Sequence, residues 1–118
     1  MVHHPIILID TSVMVAYYDA RDDHHDSARE FFATCTSRVV TTVACATEVM
    51  YLLAANWRVQ NEFLSDMANQ LYDCEELLPE DFARIAELNE QYADLPGDFA
   101  DLSLVAIAER LNIRSEEH

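Results

Sequence analysis

An uninterrupted apolar run near the N-terminus constrains the fold most strongly. Residues 6–9 are four consecutive isoleucine or leucine side chains that follow Pro5 and stop at Asp10. A strand with one solvated face alternates apolar and polar residues, so a continuous run predicts a short strand buried on both faces. Strands of this kind are typical of a parallel sheet covered by helices, and an α/β fold is therefore the first expectation.

The rest of the chain alternates strand and helix patterns. The β-branched segment 38–42 predicts a second strand, and 75–78 is a weaker third candidate. Apolar residues recur at helical spacing in six segments, namely 11–18, 27–36, one opened by Thr42 or Thr47, 59–72, 79–92 and 98–111. A break at 95–97 precedes the last helix, and Ile113 predicts the start of a further strand. This order predicts one domain over residues 1–118, a three-layer α/β/α sandwich with a mainly parallel central sheet.

The composition excludes several classes of binding site. The chain has 22 acidic residues, seven basic residues that are all arginine, one glycine, and a formal charge of −15. A Walker loop needs glycines and a lysine, and a dinucleotide fingerprint needs three glycines, so neither can be formed. The acidic balance opposes sequence-independent nucleic-acid binding and suits cationic partners or bound metal.

The cysteines and the apolar segments predict a cytoplasmic protein with buried thiols. Cys35, Cys45 and Cys74 are odd in number and widely spaced, which argues against a disulfide framework or a cysteine zinc site. The N-terminal apolar run is too short for a signal peptide or a membrane span. Trp57 follows a polar Asn56 and is predicted to pack at a helix end.

Two acidic residues stand where a charge needs a reason. Asp10 ends the first predicted strand, at the sheet edge where ligand sites lie in parallel α/β folds, but it is equally suited to cap the next helix. Glu48 is the one charged residue between Arg38 and Arg58. A lone glutamate in an apolar helix is costly unless it is paired or binds metal, although a narrow wet stripe of the helix is the alternative.

A second acidic group begins the last predicted helix. Asp98 and Asp101 are three residues apart and share a face of its first turn, and Asp94 precedes the break. An acidic first turn with one capping aspartate explains them equally well. Clustered carboxylates raise each other's pKa, and a hard divalent cation such as Mg²⁺ or Mn²⁺, which prefers oxygen ligands, is the usual remedy.

Three segments resemble the PIN domain family, most closely its VapC-like toxins from bacterial toxin–antitoxin pairs. They are Ile6-Ile-Leu-Ile-Asp10-Thr-Ser-Val, Val40-Thr-Thr-Val-Ala-Cys-Ala-Thr-Glu48, and the stretch from Tyr92 through Pro-Gly-Asp98-Phe-Ala-Asp101 to the final helix. They occur in the family's order and cover nearly the whole chain. The third segment is the most specific.

The resemblance implies a metal-dependent endoribonuclease. Asp10, Glu48 and Asp101 match the family's catalytic carboxylates, and these three with Asp98 would hold Mg²⁺ or Mn²⁺. Ser12 matches a hydroxyl residue that lies beside the metal. The implied partners are an RNA substrate, a cognate antitoxin and a second copy of the chain, with no membrane. The candidates for basic contacts to RNA are Arg21, Arg29, Arg38 and Arg58.

The C-terminus departs from the family pattern. PIN domains continue from the strand at Ile113 into a segment that carries a fourth acid, whereas here only Arg114–His118 follow. These five residues also match the translation of a common sequencing adapter, so we expect the natural gene to run on and the last strand region to be missing. The missing acid favours an alternative function, a catalytically inactive PIN-like module for binding or dimerisation. The presence of Asp10, Glu48 and Asp101 favours the nuclease.

Overall fold

A computed structural model describes residues 5–94 and 98–112 and shows the predicted order of elements. The three strands are β1 (Ile6–Leu8), β2 (Arg38–Thr41) and β3 (Asp73–Cys74). The six helices of these ranges are α1 (Thr11–Tyr18), α2 (His25–Thr34), α3 (Val43–Leu52), α4 (Trp57–Ala68), α5 (Pro79–Gln91) and α6 (Phe99–Arg110). The predicted break at 95–97 and the strand expected from Ile113 lie outside the described residues.

The described strands form one parallel sheet in the order β1-β2-β3. Ile7 pairs with Val39, and Val40 pairs with Asp73. Because the strands are parallel, their carboxyl ends meet at one edge of the sheet. Val39 and Val40 are buried as a central strand requires, but β1 is an outer strand among the three and its residues are only partly buried. The predicted α/β class with a parallel sheet is confirmed.

Short polar side chains begin four of the helices. Asp10, Thr42, Asn56 and Asp98 each accept a hydrogen bond from a backbone N–H of the first turn that follows, in α1, α3, α4 and α6. Of the two candidates for the start of α3, Thr42 is thus the cap. The fifth helix, α5, begins with Pro79, a residue favoured in a first turn.

Several sequence predictions are wrong in detail. The third strand forms at 73–74 rather than 75–78, and α4 spans 57–68 rather than 59–72. Trp57 lies at a helix end as predicted, since it is the first residue of α4, but it is 59% exposed rather than packed, with the Arg58 guanidinium carbon 4.6 Å from its ring centre. The prediction of buried thiols holds for Cys45, whereas Cys74 is exposed.

The core has two parts, and packing of α3 against α6 connects them. The larger part joins the sheet to α1, α3 and α4 through Ile9, Met14, Tyr18, Val39, Cys45, Val49, Leu53, Phe63, Tyr72 and Ala100. The smaller part joins α5 to α6 through Ile85, Leu88, Leu102 and Ala106. Helix α3 packs against both α1 and α6. Within residues 5–94 and 98–112, none of the helices has both the length and the apolar character needed to cross a membrane.

Candidate functional site

Asp10 lies at the carboxyl edge of the sheet and also caps α1. Its Oδ1 accepts hydrogen bonds from the Val13 N–H at 3.1 Å and from the Ser12 hydroxyl at 2.9 Å. The two functions considered from the sequence, helix cap and site residue, are therefore compatible. The cap uses one carboxylate oxygen and holds the side chain at the start of α1.

A buried hydroxyl bridge fixes the start of α6 against the start of α3. The Ser103 hydroxyl donates to the Ala100 carbonyl at 2.6 Å and lies 2.8 Å from the hydroxyl of Thr42. The Cys45 thiol adds a 3.7 Å contact to the same Ala100 carbonyl. Thr42, Cys45 and Ser103 are fully buried, so water does not compete with these contacts. The bridge sets the position of the first turn of α6, which carries Asp98 and Asp101, relative to α3, which carries Glu48.

Glu48, Asp98 and Asp101 interact directly, and Asp10 adds its charge to them. The pKa of Glu48 is raised, mainly by contact with the Asp98 carboxyl group and to a smaller extent by desolvation. The pKa of Asp98 is lowered, mainly because its Oδ1 accepts the Asp101 N–H at 2.8 Å. Burial raises the pKa of Asp101, and the charges of Asp98 and, more weakly, Asp10 raise it further. The structure thus brings Asp10, Glu48, Asp98 and Asp101 into one neighbourhood, and the fifth acid that the sequence singled out, Asp94, is not part of it.

Thr11 belongs to this group, although the sequence analysis did not identify it. Its residue is 6% exposed, and its buried Oγ1 has no hydrogen-bond partner among the described residues. The hydroxyl lies close enough to Glu48 to lower the pKa of that carboxyl group, but this effect is smaller than the increase caused by Asp98 and by desolvation. Buried polar atoms are nearly always hydrogen-bonded, so an orphan beside a carboxylate cluster marks a place for a water, an ion or a substrate.

The donor set fits a hard divalent cation. It consists of carboxylate and hydroxyl oxygens, the ligand type that Mg²⁺ and Mn²⁺ prefer. Among the described residues, no three histidine, cysteine or acidic side chains are already spaced to hold one ion. Neighbouring negative charges repel each other, and a bound cation would offset that repulsion.

One other acid considered from the sequence lies outside this group. Asp94 is exposed in the turn after α5, and no contact within the described residues joins it to the four carboxylates. The cluster therefore comprises Asp10, Glu48, Asp98 and Asp101, with Thr11 and Ser12 beside it; we call it the carboxylate cluster.

Comparisons with known proteins bear on the family and the fold of the chain. The PIN domain family model matches residues 7–115. Ribonuclease VapC26 of Mycobacterium tuberculosis is 25% identical over 111 residues, which are 92% of this chain and 82% of that protein. The crystal structure of VapC20 from the same organism, a sarcin-ricin loop cleaving toxin, superposes with a TM-score of 0.82 at 20% identity and covers 92% of this chain and 84% of its own. The structural match supports the predicted PIN-like α/β fold, and the extent of the family match identifies the chain: it belongs to the PIN domain family.

Proposed function

We propose that the protein is a metal-dependent endoribonuclease and the toxin of a toxin–antitoxin pair. The observation that carries the proposal is the carboxylate cluster at the carboxyl edge of the parallel sheet, where Glu48, Asp98 and Asp101 interact and the charge of Asp10 acts on Asp101. A protein gains no stability from such repulsion, so the arrangement is explained by a ligand that neutralises it. The similarity to a ribonuclease, VapC26, and to a toxin, VapC20, indicates the reaction class.

Asp10, Glu48, Asp98 and Asp101 would hold Mg²⁺ or Mn²⁺. Such an ion, when bound, activates a water and stabilises the negative charge that develops on the phosphodiester oxygens. The chain's own contribution is to position the ligands. The Ser12 hydroxyl and the Val13 N–H hold one oxygen of Asp10, which leaves the other free to face the site. The N–H of Asp101 holds Asp98 in the same way.

The raised pKa values of Glu48 and Asp101 make metal binding sensitive to pH. A carboxyl group must be deprotonated to bind a cation, so metal affinity should fall as the solution becomes acidic enough to protonate these two residues. The Thr11 hydroxyl, which has no other described partner, is suited to donate to whichever carboxylate or phosphate oxygen occupies the site.

The proposed partners follow from charge and from exposed surface. A chain with a net charge of −15 is suited to a cationic antitoxin segment, and an arginine of that segment would pair well with the carboxylate cluster. We also propose a homodimer. Its support is an exposed aromatic pair, Phe82 and Phe99, whose rings stack at 6.1 Å where α5 packs against α6. Equilibrium sedimentation of the wild type and of Phe82→Ser tests dimerisation, and a monomeric wild type at micromolar concentration would contradict it.

The nuclease proposal is tested by cleavage of a single-stranded RNA in Mg²⁺, in Mn²⁺ and in EDTA. The informative variant is Asp10→Asn, because asparagine caps a helix as well as aspartate does and the fold is kept while the charge is lost. We expect cleavage that needs the divalent ion and falls by about 100-fold or more in Asp10→Asn, on the scale of losing one charge-stabilising group. Asp23→Asn, an exposed acid between α1 and α2, is the matched control and should cleave normally.

Two outcomes would overturn this assignment. Cleavage that persists in EDTA would contradict the metal dependence, and an Asp10→Asn variant with undiminished activity would remove Asp10 from the site. A well-folded wild type that cleaves nothing in either metal would favour the alternative, a PIN-like module that binds or dimerises without catalysis.

A further inference from the structure

Most arginines in the described part of the chain form ion pairs with acids of the fold, and two do not. Of the six in the described residues, four lie within 4.0 Å of a carboxylate oxygen, in the pairs Arg21–Asp19, Arg38–Asp73, Arg84–Glu109 and Arg110–Asp81. Arg29 of α2 and Arg58 of α4 have no carboxylate at that distance within the described part of the chain. In a protein with 22 acids and seven basic residues, an arginine without a carboxylate partner needs an explanation.

Arg29 and Arg58 line the same cleft. It has a volume of about 560 Å³ and is formed where the end of α1 faces α2 and α4. Tyr17, Asn61 and Ser65 also line it, so its walls present guanidinium, amide and hydroxyl groups that donate hydrogen bonds. Two cations from different helices that converge on one cleft are suited to an anionic group that both can contact.

Two acids share the cleft and are differently occupied. The Asp66 carboxylate accepts the Tyr18 hydroxyl at 2.6 Å, and that hydroxyl lies 2.8 Å from the hydroxyl of the buried Tyr72. Asp66 is therefore satisfied by the interior. Glu62 is exposed. Arg58 precedes it by one helical turn of α4, but the two side chains are not within salt-bridge distance of each other. Both carboxylates oppose an incoming anion, and Glu62 is the one of the two without a described partner.

Aromatic surface adjoins the cleft and favours a nucleic acid as the source of the anion. Trp57 is 59% exposed, and the Arg58 guanidinium lies over its ring. Arginine beside an exposed aromatic ring is the combination with which proteins bind single strands, because the cation contacts phosphate and the ring stacks on a base. A carboxylate from a protein partner would use the arginines but not the indole.

The cleft is also at a suitable distance from the carboxylate cluster. Asp10 caps the first turn of α1, and Tyr17 of the cleft is in its last turn. Eight helical residues span about 12 Å. At a rise of about 3.4 Å per nucleotide, a stacked strand covers this distance in three to four nucleotides.

We propose that the Arg29–Arg58 cleft binds a phosphate group of the RNA strand, three to four nucleotides from the bond held at the carboxylate cluster, with a neighbouring base stacked on Trp57. The identity of the strand as substrate rests on the proposed function. Of the four arginines that the sequence offered as candidates for contacts to RNA, Arg29 and Arg58 line the cleft. The other two, Arg21 and Arg38, are paired with Asp19 and Asp73.

The experiment measures equilibrium binding of a fluorescent single-stranded RNA of ten nucleotides in EDTA, by anisotropy, across a range of salt concentrations. Metal-dependent cleavage is absent under these conditions, so a failure of the binding proposal is separate from a failure of the nuclease proposal. One phosphate contact to a single strand contributes about 0.7 to the slope of log affinity against log salt. Removing it by Arg29→Gln or Arg58→Gln should therefore weaken binding roughly eightfold at 50 mM salt and roughly threefold at 200 mM, and lower the slope by about 0.7.

Two further variants serve as controls. Arg21→Gln makes the same change of charge on a side chain that is 87% exposed and outside the cleft, and it should change affinity and slope much less. Glu62→Gln removes the opposing charge and should strengthen RNA binding. Circular dichroism checks that all four variants remain folded.

The proposal is overturned if Arg29→Gln and Arg58→Gln bind RNA with the affinity and salt slope of Arg21→Gln, because the two arginines would then make no contact with phosphate. It is also overturned if AMP competes as strongly as the oligonucleotide, because the cleft would then bind a free nucleotide rather than a strand. Weaker binding in both cleft variants, with stronger binding in Glu62→Gln, supports it.

Discussion

Arg110, the last residue of α6, ties that helix to the segment that leads into α5. Its Nε donates to both oxygens of Asp81 at 3.0 and 3.1 Å, and its other nitrogens contact the Glu75 carboxylate at 3.3 Å and the Glu76 carbonyl at 2.8 Å. The Asp81 side chain is 3% exposed and also accepts the Leu78 N–H at 2.8 Å. Replacing Arg110 by glutamine would leave a buried carboxylate with a single neutral donor.

The cost of this change can be worked from burial. Removing one partner of a fully buried ion pair costs about 3–5 kcal/mol. The Arg110 side chain retains 22% of its exposure, so water reaches its side of the pair and relieves part of the penalty. We expect Arg110→Gln to lower the free energy of unfolding by about 2–3 kcal/mol. At about 4 °C per kcal/mol for a domain of this size, Tm falls by roughly 8–12 °C.

A second arginine that joins the same two helices provides the matched control. Arg84 of α5 donates to both oxygens of Glu109 in α6 at 2.7 and 3.1 Å, but these side chains are 39% and 46% exposed. Exposed ion pairs contribute about 0–1 kcal/mol, so Arg84→Gln should lower Tm by less than about 4 °C. Urea unfolding and thermal melting measure both variants. Equal losses of stability in Arg110→Gln and Arg84→Gln would refute the reasoning from burial. It would also be refuted if the losses of Asp81→Asn and Arg110→Gln simply added in the double variant, because residues that form one buried pair should not act independently.

Three further perturbations test the carboxylate cluster. Asp101→Asn removes a carboxylate with a raised pKa, so in EDTA at pH 7 it should stabilise the fold by up to about 1 kcal/mol, a figure limited by solvent screening. The variant should also lose the increase in Tm that Mg²⁺ causes in the wild type. Thermal scanning in EDTA and in Mg²⁺ measures both effects, and a variant that Mg²⁺ stabilises as much as the wild type would contradict the role of Asp101. Because the folded-state pKa values of Glu48 and Asp101 are raised, their contribution to stability falls as pH rises from the unfolded pKa of about 4 through the raised folded values. Urea unfolding in EDTA should therefore show the wild type losing stability over this range relative to the double variant Glu48→Gln with Asp101→Asn, and parallel curves would refute the shifts. Ser103→Ala breaks the buried bridge to Thr42 and should cost about 1–2 kcal/mol and weaken Mg²⁺ binding, whereas unchanged values of both would show that the bridge does not position α6.

Local chemistry allowed several elements to be predicted from the sequence. The bounds 11–18 of α1 are confirmed because an aspartate cap precedes it and a polar cluster follows it, and both signals lie within one turn of the helix. The start of α5 at Pro79 is confirmed for the same reason. The third strand was misplaced because β3 is two residues long and is defined by its pairing with Val40 and Thr41, whereas the apolar Leu77 and Leu78 after it resemble a strand only in composition.

The candidate site was only partly accessible to sequence reasoning. Asp10, Glu48, Asp98 and Asp101 stand out because each charge is at the end or in the middle of an apolar element, and that signal is local. The hydroxyls that support them carry no such signal. Thr42 and Ser103 are 61 residues apart, and Thr11 is an ordinary residue of a first helical turn until the fold buries it.

The convergence of the four carboxylates on one cation is tested most directly by crystals grown with Mn²⁺. We expect an anomalous difference peak in contact with carboxylate oxygens of Asp10 and Asp98 and of at least one of Asp101 and Glu48. The peak should disappear in crystals of Asp101→Asn. A map with no peak near these residues at saturating Mn²⁺, or one whose strongest peak lies on a different group of acids, would contradict a metal-dependent nuclease site at this edge of the sheet.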